Sequence, residues 1–307
     1  MGVRLLIYTL TLNPSIDYVV HLDSFISGMT NRTIAESYCI GGKGINVSCI
    51  LSELGIKSTA WGFTAGFTGD EIEKALVKKG IYSEFIRLKN GISRINIKIK
   101  ADEESEINGQ GPHITDEELQ QLLLMTERIS DGDTVVLAGS IPKTVADDIY
   151  ERILAKLKNR NIMTVVDATG KLLLNCLKYE PFLIKPNRQE ISEIFSAKIE
   201  NFEEIEMYAK KLMQMGARNV IVSLGGDGAF LFAEDGKIYH SGTLEEKVLD
   251  TVGSGDSMVA GFVAGFEQTG DYGYALKLGT ACGNATAFSQ GLAKKEKIYE
   301  VLEKLDK

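Results

Sequence analysis

Short apolar runs alternate with amphipathic stretches along most of the chain. Leu5–Leu12 is almost continuously apolar, and Asn13-Pro14 ends it, which predicts a buried strand. Ile45–Leu54 has helical spacing and stops at Gly55. Ser58–Thr64 reads as a strand. Asp70–Lys79 reads as a helix, with acids in its first turn, lysines in its last and Gly80 beyond. Thr115-x-x-Glu118 is a capping box that opens a helix to about Ile129. Strand Thr134–Ala138, helix Val145–Leu157, strands Met163–Asp167 and Phe182–Ile184, helix Phe202–Met215, strand Asn219–Ser223 and the apolar helix Met258–Phe266 follow. This alternation predicts an α/β fold, a mostly parallel central sheet with helices on both faces. Unbroken strands such as Val135-Val136-Leu137 fit burial on both sides.

Two segments break the pattern. Ile16–Leu22 and Ser93–Lys100 read as half-exposed antiparallel strands. In the second, Ile95, Ile97 and Ile99 alternate with Arg94, Asn96, Lys98 and Lys100, a period of two. Such strands need one face covered, so they predict a small sheet standing off the main one as a lid or dimer surface.

Composition narrows the function. The chain has 307 residues, 34 Lys+Arg and 42 Asp+Glu, for a net charge of −8. An acidic chain without a long basic run argues against nucleic-acid binding. No apolar stretch is long enough to cross a bilayer, and the apolar N-terminal run is too short for a secretory signal, so the expected location is cytoplasmic. The four cysteines, Cys39, Cys49, Cys176 and Cys282, lack C-x-x-C spacing and offer neither a zinc site nor a redox pair. Cys39, just before the Gly41 loop, could react if that loop is open, but inert burial is the expectation. His21, His113 and His240 lack metal-ligand spacing, and Trp61 reads as packing.

The 31 glycines gather in particular loops. Asp250-Thr251-Val252-Gly253-Ser254-Gly255-Asp256-Ser257 runs into an apolar helix, so backbone N–H groups and the helix dipole converge on one point suited to phosphate. Asp256 could remove a proton from an attacking hydroxyl there, or merely complement the helix N-terminus; both readings stand at this point. Gly41-Gly42-Lys43-Gly44-Ile45-Asn46 also precedes a helix but is not a Walker A loop: Ser37 stands where the first glycine belongs and Gly44 follows the lysine. No dinucleotide fingerprint follows the first strand, which disfavours an oxidoreductase. Ala138-Gly139-Ser140-Ile141-Pro142, Lys185-Pro186-Asn187-x-x-Glu190 and Ser223-Leu224-Gly225-Gly226-Asp227-Gly228 each end an apolar strand, where doubly wound sheets bind ligands. Taken singly, Ser140 could be a cap, Lys185 a solvated charge and Asn187 an N-cap. Their shared location favours a site.

Together these motifs resemble the ribokinase-like family of sugar and sugar-phosphate kinases, in its phosphofructokinase B-type branch. The resemblance covers Ile7 to about Gly291, and Thr11-Leu12-Asn13-Pro14-Ser15-Ile16-Asp17 belongs to it as well. It implies a three-layer α/β/α kinase domain over residues 1–307, with lid strands at about 13–38 and 92–110. It implies ATP-dependent phosphorylation of a ketohexose phosphate with Mg²⁺. Fructose 1-phosphate leads, on Arg94-Ile95-Asn96-Ile97-Lys98 and Glu106-Ile107-Asn108-Gly109-Gln110-Gly111-Pro112, with tagatose 6-phosphate and fructose 6-phosphate as alternatives. Asp256 is then the general base, and Gly253, Ser254 and Gly255 hold the transferred group. Asp17, Gly41, Gly42 and Asn46 bind sugar hydroxyls. Lys43 and Arg94, with Ser140, hold the substrate phosphate. Lys185, Asn187 and Glu190 face the nucleotide phosphates and Mg²⁺, Glu190 through water. Ser223, Gly225, Gly226 and Gly228 line the nucleotide side, with Asn284 near adenine. A homodimer joined through the lid is implied too. Ala138, Lys143-Thr144 and Asp167-Ala168-Thr169-Gly170 depart from the family pattern and weaken the substrate assignment more than the reaction type. A non-catalytic sugar-phosphate sensor is the reading from another class, and the retained Asp256 and its glycines disfavour it.

Overall fold

The computed structural model describes residues 6–305, so Leu5 and the residues before it lie outside the described part. Nine strands form the main sheet: β1 (Ile7–Thr11), β4 (Ser58–Ala65), β5 (Tyr82–Leu88), β8 (Thr134–Ala138), β9 (Met163–Asp167), β10 (Leu183–Ile184), β11 (Asn219–Ser223), β12 (Ala229–Phe232) and β13 (Ile238–Ser241). They lie in the order β13-β12-β11-β10-β9-β8-β1-β4-β5. All pair in parallel except at β12 and β13.

Strand by strand, alternate side chains feed two apolar clusters. Val135 and Leu137 of β8 join one with helices α3 (Asp116–Met125), α4 (Ile149–Leu157), α5 (Gly170–Leu177), α6 (Arg188–Phe195) and α7 (Phe202–Gln214). Val136 and Ala138 join the other with α1 (Lys43–Glu53), α8 (Ser254–Thr269), α9 (Tyr272–Ala287) and α10 (Lys295–Leu305). The layers are helix, sheet, helix, as expected. A third cluster packs Ile72 and Leu76 of α2 (Gly66–Lys78) against Ile45 of α1 and Ile16.

The small sheet comprises β2 (Ser15–His21), β3 (Ala35–Gly41), β6 (Arg94–Lys100) and β7 (Ser105–Asn108), in the order β3-β2-β6-β7. One expectation needs correction. β2 and β6 pair with each other in parallel, Ser15 opposite Arg94 and Asp17 opposite Asn96. Both segments leave the main sheet beyond parallel strands, β1 and β5, and so run the same way. Each finds its antiparallel partner elsewhere, β2 in β3 and β6 in β7.

Some boundaries also move. α2 begins at Gly66, so Asp70 and Glu71 are not in its first turn. Ser93 holds the added turn: its Oγ accepts from the Ala65 N–H at 3.0 Å, and its carbonyl accepts from Thr68 Oγ1 at 2.8 Å. The helix expected from Val145 starts at Ile149. α3 ends at Met125 and gives way to a 3₁₀ turn, Thr126–Arg128, while its capping box forms as expected. Among the described residues, no helix is long and apolar enough to cross a membrane.

Candidate active site

The chain leaves β1 toward β4 on one side, and β8 lies on the other. Open parallel sheets bind ligands where the strand order reverses in this way, beyond the carboxyl ends of the strands. Asp167 ends β9, Lys185 follows β10, Ser223 ends β11 and Gly139-Ser140 follow β8.

Gly253 caps α8 in the left-handed region, φ 80°, where a side chain would be strained; a Cβ there would also come within 2.7 Å of Leu292. The helix then starts on bare backbone, and the first-turn N–H groups of Gly255 and Asp256 have no acceptor upstream in the helix. Asp256 is 6% exposed, and Asn46 Nδ2 donates to its Oδ2 at 2.8 Å. Burial first, then the charge of Asp167, pushes its carboxyl up to about 6 against the pull of Lys43, Asn46 and Lys185. This bears on the two readings of Asp256. A carboxylate serving only the helix dipole would have its charge favoured. This one is held near the pH at which a general base works best.

Asp167 and Lys185 are buried beside it, 3% and 6% exposed. Lys43 Nζ lies 3.1 Å from Asp167 Oδ2, and Lys185 Nζ lies 3.5 Å from Oδ1. Burial works against the Asp167 charge, but the two lysines outweigh it and hold its carboxyl below the usual range. Burial likewise opposes the Lys43 ammonium, and the charges of Asp167 and Asp256 outweigh that, so it stays above its usual value. The two carboxyl groups are thus pushed apart, Asp167 toward its charged form beside the two cations and Asp256 toward its neutral one. A Cβ on Gly255 would sit 3.1 Å from Lys185 Nζ, which puts that cation against the α8 N-terminus.

Lys43, Arg94 and Ser140 line one cavity of about 350 Å³, together with Gly42, Gly139 and Asp167. Arg94 Nε donates to the Asn13 carbonyl at 3.0 Å, and burial lowers its pKa. A second cavity of about 500 Å³ is lined by Asp17, Gly41, Asn46, Lys98 and Cys39. Asp17 Oδ1 accepts from Ser15 Oγ at 2.7 Å and from Asn96 Nδ2 at 2.8 Å. A Cβ on Gly41 would fall 2.5 Å from Ser15 Oγ and 2.9 Å from both Asp17 oxygens, so only glycine fits beside that carboxylate.

The residues expected to face the nucleotide fall into a separate group. Asn187 and Glu190 form a reciprocal capping box at α6: Asn187 Oδ1 accepts from the Glu190 N–H, and Glu190 Oε2 from the Asn187 N–H, each at 2.8 Å. The N-cap reading of Asn187 therefore holds as local structure. Glu190 keeps Oε1 outside the box. One carboxylate oxygen fits a Mg²⁺ that retains its waters and takes phosphate oxygens. Among the described residues no cluster of three or more His, Cys, Asp or Glu could hold a metal. Asn187 pairs with Ser223 in an isolated parallel bridge. A 3₁₀ turn, Gly225–Asp227, and Gly228 follow, and a Cβ on Gly225 or Gly226 would meet nothing within 4 Å. Asn284 on α9 is buried, and its Nδ2 has no partner. A Cβ on its neighbour Gly283 would lie 3.2 Å from the Ser254 carbonyl.

Sequence reasoning gave no role to Asp167, Asn96 or Lys98. Asp167 has the same signal as Lys185, a charge at the end of an apolar strand. Asn96 and Lys98 share a period of two with Arg94. Cys39 is exposed, not buried as expected: it stands opposite Asp17 on β3 and opens onto the second cavity. Trp61 is packing, its ring 4.4 Å from that of Tyr8, and the three histidines are exposed.

The pfkB family carbohydrate kinase model matches residues 10–298. A 1-phosphofructokinase of Bacillus subtilis is 43% identical over 97% of both chains. A D-tagatose-1-phosphate kinase of Bacillus licheniformis is 38% identical over 95% of this chain and 96% of its own. Phosphofructokinase-2 of Escherichia coli, solved with substrates and products, superposes with a TM-score of 0.92 at 26% identity over 99% and 100% of the two chains.

Proposed function

Because the chain belongs to the pfkB family of carbohydrate kinases, we propose that it transfers the γ-phosphoryl group of ATP to the 6-hydroxyl of fructose 1-phosphate, giving fructose 1,6-bisphosphate and ADP. The observation that carries this reading is the buried Asp256 at the α8 N-terminus, its carboxyl raised to about 6 beside the Asp167–Lys43–Lys185 cluster. Asp256 takes the hydroxyl proton as the sugar oxygen bonds to the γ-phosphorus and the bond to the ADP oxygen breaks. The Gly255 and Asp256 N–H groups and Lys185 meet the charge on the moving group, which is where phosphoryl transfer needs most help. Lys43, Arg94 and Ser140 hold the phosphate already on the sugar. Asp17, Gly41, Gly42 and Asn46 hold its hydroxyls. Asn187, Ser223 and the Gly225–Gly228 turn face the nucleotide, with Asn284 toward adenine. Mg²⁺, held through water by Glu190, would neutralise phosphate charge.

The small sheet acts as the lid, excluding water from the transfer. Its outer side and the β2–β3 connection expose Phe25, Ile26, Met29, Ile34, Tyr38 and Ile107, which supports a homodimer through that face. A second reading of the substrate is D-tagatose 1-phosphate, favoured by the relative of that name.

A coupled ATP-consumption assay with Mg²⁺ tests this reading. It compares kcat/KM for fructose 1-phosphate, tagatose 1-phosphate, fructose 6-phosphate, tagatose 6-phosphate and fructose. Preference for fructose 1-phosphate is expected. Preference for tagatose 1-phosphate supports the second reading, preference for a 6-phosphate overturns the substrate assignment, and no turnover overturns the reaction.

A further inference from the structure

β6 turns Arg94, Asn96 and Lys98 to one face, since alternate residues of a strand share a side. Each has a site partner. Arg94 bonds the Asn13 carbonyl, and Asn96 bonds Asp17 Oδ1. Lys98 Nζ lies 3.7 Å from Asp17 Oδ2. Both side chains of this last pair are largely buried, 14% and 13% exposed, so their attraction is screened less than a surface pair's. The two Asp17 oxygens are thus divided: Oδ1 takes neutral donors from Ser15 and Asn96, and Oδ2 faces a cation. Lys98 Nζ is also 3.8 Å from Glu106 Oε1, on the exposed neighbouring strand β7.

We propose that Lys98 is a positioning residue for sugar recognition. It fixes the carboxylate plane of Asp17, so that Asp17 presents a set acceptor to the hydroxyls of the ketose. The proposal rests on the sugar-phosphate reading above, in which Asp17 touches the sugar. It assigns Lys98 no contact with the transferred phosphoryl group. Loss of the Lys98 charge therefore weakens sugar binding and leaves the chemical step and the nucleotide alone. The competing role is structural: Lys98 would merely tie β6 to β7 through Glu106.

The test uses the full-length Lys98→Met, Lys98→Arg and Glu106→Gln variants. KM for the sugar phosphate that the wild type turns over best, KM for ATP, and kcat are measured for each. Lys98→Met raises the sugar KM about tenfold, the loss expected for one charged partner, with kcat and the ATP KM within about threefold. Lys98→Arg restores most of the affinity, and Glu106→Gln leaves it near wild type. A parallel thermal-unfolding cycle pairs Lys98→Met with Asp17→Asn and needs no substrate. Lys98→Met lowers Tm, and adding Asp17→Asn recovers part of the loss by removing the unpaired carboxylate. An unchanged sugar KM in Lys98→Met, a loss confined to kcat, an equal effect from Glu106→Gln, or no coupling in the unfolding cycle each overturns the proposal. If the wild type turns over no ketohexose phosphate while the unfolding coupling is present, the kinase substrate reading fails and the Lys98–Asp17 pairing stands.

Discussion

The two sheets differ in what lies on their faces. In the main sheet, odd and even positions both meet a core: Val135 and Leu137 pack under one layer of helices, Val136 and Ala138 under the other. In the small sheet, β3 is exposed over Ala35–Cys39, while Asp17 and Asn96 are buried on the side of the site. The residues that each contributes differ accordingly. The main sheet ends in Asp167 and Lys185 and carries α8 with Asp256, so its groups are charged, dry and fixed. The small sheet supplies Asp17, Arg94 and Asn96, polar groups on strands with one open side. On the proposed reading, the proton-transfer groups sit on the frame packed from both faces, while Asp17 and Arg94, which meet the sugar phosphate, sit on the frame packed from one.

Substitutions can break that division, and the largest effect falls on the packed frame. Asp256→Asn lowers kcat about 10²–10⁴-fold, the usual contribution of a general base, and leaves sugar and ATP binding near wild type by calorimetry. Near-normal turnover in that variant would remove Asp256 from the role. On the half-covered frame the loss appears in binding. Arg94→Gln raises KM for the sugar phosphate about 30-fold, in line with one charge-assisted contact, and changes kcat far less. A fall in kcat alone would erase the distinction between the two sheets.

How much of this could be read from the chain depended on period and position. Strand–helix alternation gave the layered fold, because buried parallel strands must be apolar on both sides. The Gly253–Asp256 turn and the Gly41–Lys43 loop stood out because each sets glycine against a helix start, and Ser93–Lys100 stood out by its period of two. The direction of the β2–β6 pairing was not legible, since period two is the same in parallel and antiparallel strands. The start of α2 was missed because tertiary bonds from Ser93 hold its first turn. Asp167 escaped notice because its importance lies in Lys43 and Lys185, which are remote in sequence and meet only in the fold.

A smaller effect sharpens the account of the packed frame. The acid limb of kcat/KM is expected near pH 6, where Asp256 loses its proton. Asp167→Asn removes a like charge and frees Lys43 and Lys185 to act on Asp256. Both changes favour the ionised carboxylate, so the limb moves below pH 6 in a pH–rate profile. A shift upward would mean that Asp167 raises nothing at Asp256.

The smallest effect belongs to the open face. Met29→Glu with Ile34→Lys changes stability by no more than about 0.5 kcal/mol, as is usual for exposed positions. If the proposed dimer forms through that face, the same pair shifts sedimentation from dimer to monomer. A species of unchanged mass would leave those side chains, 69% and 65% exposed, without a partner.

The bond between Asn46 and Asp256 joins residues 210 positions apart. Contacts this distant along a chain carry a large loop-closure cost, which nearer contacts must first offset. A polypeptide still emerging from synthesis therefore has Asn46 and its loop long before it has Asp256 to bond it. On refolding from denaturant, turnover is expected to return after the helical circular-dichroism signal, and simultaneous recovery would show that α8 docks with the first compact state.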